Sequence, residues 1–112
     1  MTVLGHVVYD DGVLRITVMS SPPGLAIAGE IDESTYLALV AKLAEFAGGA
    51  AEIHISLGGV AYCDLAGLRA IVRLATGDGR RVVLHEVPPQ LRTAMRIVGW
   101  DATPGLVVDE GA

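Results

Sequence analysis

Two periods alternate along this chain. From residue 25 onward, each short run with every second residue apolar gives way to a longer run with apolar residues three and four apart. Period two marks a strand with one buried face, and a period near 3.6 marks an amphipathic helix. The strand runs are "LAIAGEI" (25–31), "AEIHISL" (51–57), whose Ile53, Ile55 and Leu57 share a face, and "RVVLHEV" (81–87). The helical stripes are Tyr36, Leu39, Val40, Leu43 and Ala47, then Leu68, Ile71, Val72 and Ala75, then Leu91, Ala94, Met95 and Val98. An earlier run, "VLRITVMS" (13–20), reaches the first of these strands across the turn "SPPG" (21–24), which predicts an opening hairpin. "GLVVDE" (105–110) supplies a short last strand. The order β-β-α-β-α-β-α-β implies an α/β fold: a mixed sheet with mostly right-handed crossovers and helices packed mainly on one face.

The punctuation agrees with the periods. Asp32 is expected to cap the first helix, with Glu33 complementing its dipole, and Gly48 and Gly49 to end it. Asp64 is expected to cap the second helix, which stops near Gly77. Pro88 and Pro89 suit the start of the third, and Gly99 its end. Gly29 inside a strand run suggests a bulge or a close backbone approach. Residues 58–66 are expected to form a loop between strand and helix, the kind of junction where α/β sheets meet ligands.

A chain of 112 residues is one domain's worth, here spanning residues 1–112, and long enough for a single core. Aromatic residues make up 4%, so that core rests on Leu, Val, Ile and Ala. Thirteen acidic residues against eight basic ones leave a net charge of -5, which argues against nucleic acid and an anionic membrane surface as partners. Cys63 is the one cysteine, so an intramolecular disulfide is excluded. "YLALVAKLAEF" is interrupted by Lys42 and Glu45, and the first residues lack the pattern of a signal peptide. A cytoplasmic home is expected.

Catalytic patterns are scarce. No G-x-S-x-G elbow, no phosphate-binding lysine loop and no G-x-G-x-x-G follows a strand. "LGGV" at 57–60 reads as a turn rather than a phosphate cradle. His6, His54 and His85 lack the spacing of a metal pair, and no metal or cofactor is expected. Glu30 and Asp32 could form an acid/base pair, but capping is the better account of Asp32. Cys63, just before a helix start, could be activated as a thiolate; a packing thiol is the better account. Arg69 and Arg73 lie one helical turn apart, as a solvated face or as groups recognising an acidic partner.

"LAIAGEID", the helix after it, and "IHISLGGVAYCDLAGLRAIV" together resemble the STAS domain, shared by sulphate transporters and anti-sigma factor antagonists. In the antagonists one strand ends in G-E-[IL]-D, here intact at Gly29 to Asp32. The next ends in a turn reading roughly D-L-S-x-[VL]-x-[FY]-[ILM]-D-S-[ST]-G-L, matched by Val60, Tyr62, Cys63, Asp64, Gly67 and Leu68. The resemblance implies a non-enzymatic switch: the antagonist binds an anti-sigma factor, usually a serine kinase, and is expelled once the serine after the loop Asp is phosphorylated. It implies a partner-binding surface of Asp32, Cys63, Asp64, Leu65, Ala66, Gly67, Leu68 and Arg69.

This chain departs from the pattern at the switch itself. The phosphoacceptor position is Leu65 and the next is Ala66, neither with a hydroxyl. Ser56 and Thr76, the nearest hydroxyls, lie on the strand and at the far end of the helix. Two readings of Leu65 stand: an apolar anchor for a partner's groove, or a side chain folded onto the core. Two functions of different class stand as well: an antagonist not switchable at the usual position, and a ligand-sensing or scaffold module binding a small molecule or sensor protein. A small enzyme using Cys63 or Asp64 is a distant third. Exposed sheet edges leave monomer and homodimer open.

Overall fold

The computed structural model describes residues 3–76 and 79–109. Strands β1 (Val3–Asp10), β2 (Leu14–Ser21) and β3 (Pro23–Ile31) lead to helix α1 (Tyr36–Ala47). Then come β4 (Glu52–Cys63), α2 (Leu65–Val72), β5 (Arg81–His85), α3 (Pro89–Val98) and β6 (Leu106–Val108). Short 3-10 turns follow α2 at Arg73–Ala75 and α3 at Trp100–Ala102. The six strands lie side by side in chain order. The first three pair antiparallel, and β3 through β6 pair parallel. This is the mixed α/β sheet that the alternating periods predict.

One face of the sheet carries the core. Leu14, Ile16, Leu25, Ile27, Ile53, Ile55, Leu57, Val82 and Leu84 join one buried cluster with Leu39, Leu43, Leu68, Ile71, Leu91 and Met95 from the three helices. The helices therefore cover a single face. The stripe of α2 buries Leu68, Ile71 and Val72 as predicted, and Ala75 just beyond it. In α3 the prediction fails at Val98, which is exposed. Gly99 stops that helix in the left-handed region at φ 80, its N–H returning to Arg96 and Met95 carbonyls.

Three boundaries differ from the sequence reading. The opening is a three-stranded meander, because β1 precedes the expected hairpin. Its pairing with β2 shifts register three times, so the period-two pattern of residues 3–10 is broken. The turn is also tighter than "SPPG": Ser20 already pairs with Pro23. The largest correction concerns residues 58–66. They do not form a loop: β4 runs on to Cys63, and only Asp64 separates it from α2. Its partner strand pairs Ala26 with Ser56 but Ala28 with Gly59, so "GG" marks a bulge within a continuing strand and not a turn.

Gly29 is a close approach, as anticipated. Its φ is +98, and a Cβ there would lie 2.0 Å from the Val13 carbonyl oxygen. That carbonyl accepts from the Glu30 N–H at 2.9 Å, pinning the end of β3 against the β1–β2 turn. The C-terminal ends of β3 and β4 are thereby held side by side, with Ile31 opposite Cys63.

Candidate functional site

The site is the end of the parallel pair β3–β4, where both chains turn into helices. The Asp64 N–H donates to the Ile31 carbonyl at 3.0 Å, so the last rung of the sheet is also the doorstep of α2. Asp64 has extended backbone, φ -79 and ψ 171, and its Oδ1 accepts from the Gly67 N–H at 2.8 Å. This is the helix cap that the sequence predicts. Beneath it, Gly67 faces the core so closely that a Cβ would lie 2.2 Å from a methyl of buried Ile31. The cap and this contact fix the first turn of α2, and they turn Leu65 and Ala66 outward. Leu65 is 54% exposed, so the reading in which it folds onto the core is wrong.

Asp32 behaves differently. Its Oδ1 accepts from the Ser34 N–H at 2.9 Å and from the Ser34 hydroxyl at 2.6 Å. Those bonds, the hydroxyl's first, hold the Asp32 carboxyl below the usual range. Asp32 is therefore not the cap of α1, as the sequence suggested; it closes a turn one step earlier. Thr35 stands at the helix start, buried at 1% exposure. Its hydroxyl donates to the Glu30 carbonyl at 3.0 Å and accepts from the Asp32 N–H at 3.0 Å. Sequence reasoning passed over Thr35, although a hydroxyl residue just ahead of an apolar stripe is a usual helix-start signal.

The remaining residues divide by burial. Gly67 and Leu68 are buried and shape the surface from below, so they offer a partner no side-chain contact. Ala66, Arg69 and Arg73 are exposed, while Asp64 and Cys63 are half-buried. The Cys63 thiol lies 3.4 Å from the Asp64 carbonyl, to which it donates. Burial, and secondarily the Asp64 charge, push that thiol up to about 12. The start of α2 does not activate it, and a packing role accounts for it.

The partner-binding surface expected from the sequence leaves out two exposed apolar groups. Tyr62 is 54% exposed, and it pairs with Glu30 across β3–β4. Leu37 is 80% exposed at the start of α1. Its signal was present: it falls off the stripe of Tyr36, Leu39, Val40, Leu43 and Ala47. Behind Tyr62 a cleft of about 240 Å3 opens between β4 and α3, lined by Val60, Cys63, Gln90, Leu91 and Ala94 among others.

The family model described as "Mlab, STAS domain" matches residues 15–108. The chain belongs to the STAS domain family. The resemblance drawn from residues 25–32 and 53–72, and expected to extend through the strand and helix of 81–101, is borne out. Solved structures with the same fold include an anti-sigma factor antagonist from Mycobacterium paratuberculosis, at 22% identity and a TM-score of 0.65, covering 96% of this chain and 84% of that one. Another is the anti-sigma factor antagonist SpoIIAA in its unphosphorylated form, at 17% identity and a TM-score of 0.58, covering 100% and 90%. At these identities the likeness is one of fold. No curated protein matches this STAS domain in sequence. Among the described residues, no helix of the domain is long and apolar enough to cross a membrane.

Proposed function

We propose that this STAS domain is a non-enzymatic regulatory module that docks an anti-sigma factor or a related regulatory protein. The contact surface is the end of β4, the Asp32 turn beside it and the first turn of α2. Leu65 carries the reading: it is 54% exposed, at a helix mouth held rigid by an intact cap. Burying what remains exposed of the Leu65 side chain on docking is worth about 1–1.5 kcal/mol. A rigid apolar group with Tyr62 three residues earlier makes a natural anchor. The names of the two solved structures support the class of partner.

Neither Leu65 nor Ala66 can accept a phosphate. In a chain with serine there, phosphate would bring about -1.5 to -2 charges beside Asp64 and break a packed contact. This module is not expelled by modification at that point. The test is a pull-down with the pure protein from its own host's lysate, with and without ATP, followed by intact mass of the bait. The expected result is an anti-sigma factor recovered with no mass gain of a phosphate. Leu65→Asp abolishes that recovery and leaves the Tm within about 2 °C, since exposed substitutions shift stability by about 0.5 kcal/mol or less. Unchanged recovery by Leu65→Asp, or a phosphate on the bait, overturns the reading.

A second reading, a ligand-sensing or scaffold module, is favoured by one observation. A cleft of about 460 Å3 lies on the sheet face away from the helices, lined by Leu4, Arg15, Thr17, Ala28, Ser56 and Glu86 among others. That volume suits a small molecule. Native mass spectrometry of the purified protein decides this reading: a retained small molecule supports it, and the bare chain mass counts against it.

A further inference from the structure

The sheet face away from the helices carries a line of four titratable side chains that the docking surface does not use. Glu52 Oε2 lies 2.8 Å from His54 Nε2. His54 Nδ1 lies 2.7 Å from His85 Nε2. His85 Nδ1 lies 2.9 Å from Asp109 Oδ2. The ring centroids lie 5.0 Å apart with 18° between their planes, so the rings meet edge to edge through that N–N contact. Both histidines are largely covered, with side chains 16% and 21% exposed, and the two carboxylates are about half exposed. Arg81 reaches the other oxygen of Glu52 at 3.2 Å. On the β3 side, His54 is paired with Gly24, which has no side chain. The next carboxylate, Glu86 just past the end of β5, accepts from the Ser56 hydroxyl at 3.1 Å. The charged groups facing the pair are thus Glu52, Arg81 and Asp109. Among the described residues, no group of three or more donors is placed to hold a metal ion.

The protons of this line can be counted. An ionised carboxylate only accepts, so His54 Nε2 and His85 Nδ1 must each carry a hydrogen. The contact between the rings needs one hydrogen and one lone pair. Three protons on two imidazoles make one net positive charge. A fourth proton would set two N–H groups against each other at 2.7 Å. With only two protons, one of the three contacts loses its hydrogen. We propose that His54 and His85 share a single positive charge and form a pH-gated clasp that fastens β6 to the sheet. The clasp matters because β6 is only three residues long. Beside the β5–β6 ladder and the packing of Leu106 in the core, it is flanked by the Val82 N–H to the Gly105 carbonyl and the Asp109 N–H to the Leu84 carbonyl, each 2.8 Å. The line is complete at one protonation state and broken on both sides of it.

Long-range proton–nitrogen NMR of the 15N-labelled full chain reads the ring nitrogens directly, with His6→Gln identifying the third histidine. Near pH 6.5 to 7, three of the four nitrogens of His54 and His85 should bear protons and one should accept. Two neutral rings, or two fully charged ones, would overturn the proposal, and this measurement needs no change to the pair. Urea midpoints from pH 5 to 8.5 for the wild type minus His54→Asn/His85→Asn give the second readout. An unfolded pair holds two extra protons well below about pH 6.5 and none well above it. While the line is intact, the folded pair holds one. The pair's contribution to the folding constant should therefore peak near the middle and fall by up to tenfold per pH unit on each side. A flat or one-sided difference sinks the idea.

Discussion

The two acid-led helix starts at the end of the β3–β4 pair look alike in sequence and are built differently. At α2 the strand stops one residue before the helix, and Asp64 bonds directly to the Gly67 N–H at 2.8 Å. At α1 a turn intervenes. Asp32 spends its carboxylate on Ser34, and buried Thr35 ties the turn back to Glu30. The difference is one of where the chain is held. Asp64 caps from the half-exposed rim, and the rigidity beneath comes from Gly67 against Ile31. At α1 the holding group itself is buried. A rim cap leaves the first helical turn facing solvent, which is how Leu65 becomes the accessible group of the site.

Substitutions that disturb the holding groups should separate the two starts most. Gly67→Ala forces a methyl to within 2.2 Å of an Ile31 methyl that has no room to move. It should cost about 2–3 kcal/mol despite the better helix propensity of alanine, read as a lower urea midpoint at unchanged m-value. A neutral result would mean that the doorstep of α2 yields, and that Leu65 is not rigidly presented. Thr35→Val keeps the shape and strips the hydroxyl, leaving the Glu30 carbonyl and the Asp32 N–H without that partner. About 2 kcal/mol is expected by the same denaturation. Asp64→Ala removes a rim cap and should cost about 1 kcal/mol, less than Thr35→Val. The reverse order would contradict the buried-against-rim contrast.

The smallest effect belongs to Asp32, whose carboxyl is exposed and held below its ordinary value by Ser34. A lowered folded value means stability that is present above the unfolded value, about 3.9 for Asp, and is lost as pH falls through the folded one. The stability gap between wild type and Asp32→Asn should therefore be constant from pH 7 to 5 and close below about pH 4. Thermal melts across that range check it; a gap that persists at pH 2 would show that Ser34 holds the protonated acid equally well.

How much was legible follows from where each signal lives. The helical stripe of α2, its Asp64 cap and the Gly99 stop are local, and each was readable because all the partners lie within a few residues. The end of β4 was misread because glycine pairs usually mark turns. Here the pair sits in a bulge set by the neighbouring strand β3, which no local pattern reveals. β1 went unseen because its bulges break the alternation that announces a strand. Asp32 was assigned the wrong bond because Ser34, Thr35 and the helix N–H groups all compete for it, and the fold chooses among them.

Read alone, the sequence determined the class of fold, the covered face and the cap at Asp64, along with the lack of a hydroxyl at Leu65 and Ala66. Period and capping are properties of neighbouring residues, so they survive without knowledge of the rest. Tertiary structure alone decided that Leu65 faces solvent, that Gly67 is locked against Ile31, and that His54 meets His85 across 31 positions of sequence. Those contacts join residues that only the parallel pairing of distant strands brings together. Their geometry is set by sheet register, which no short stretch of the chain encodes.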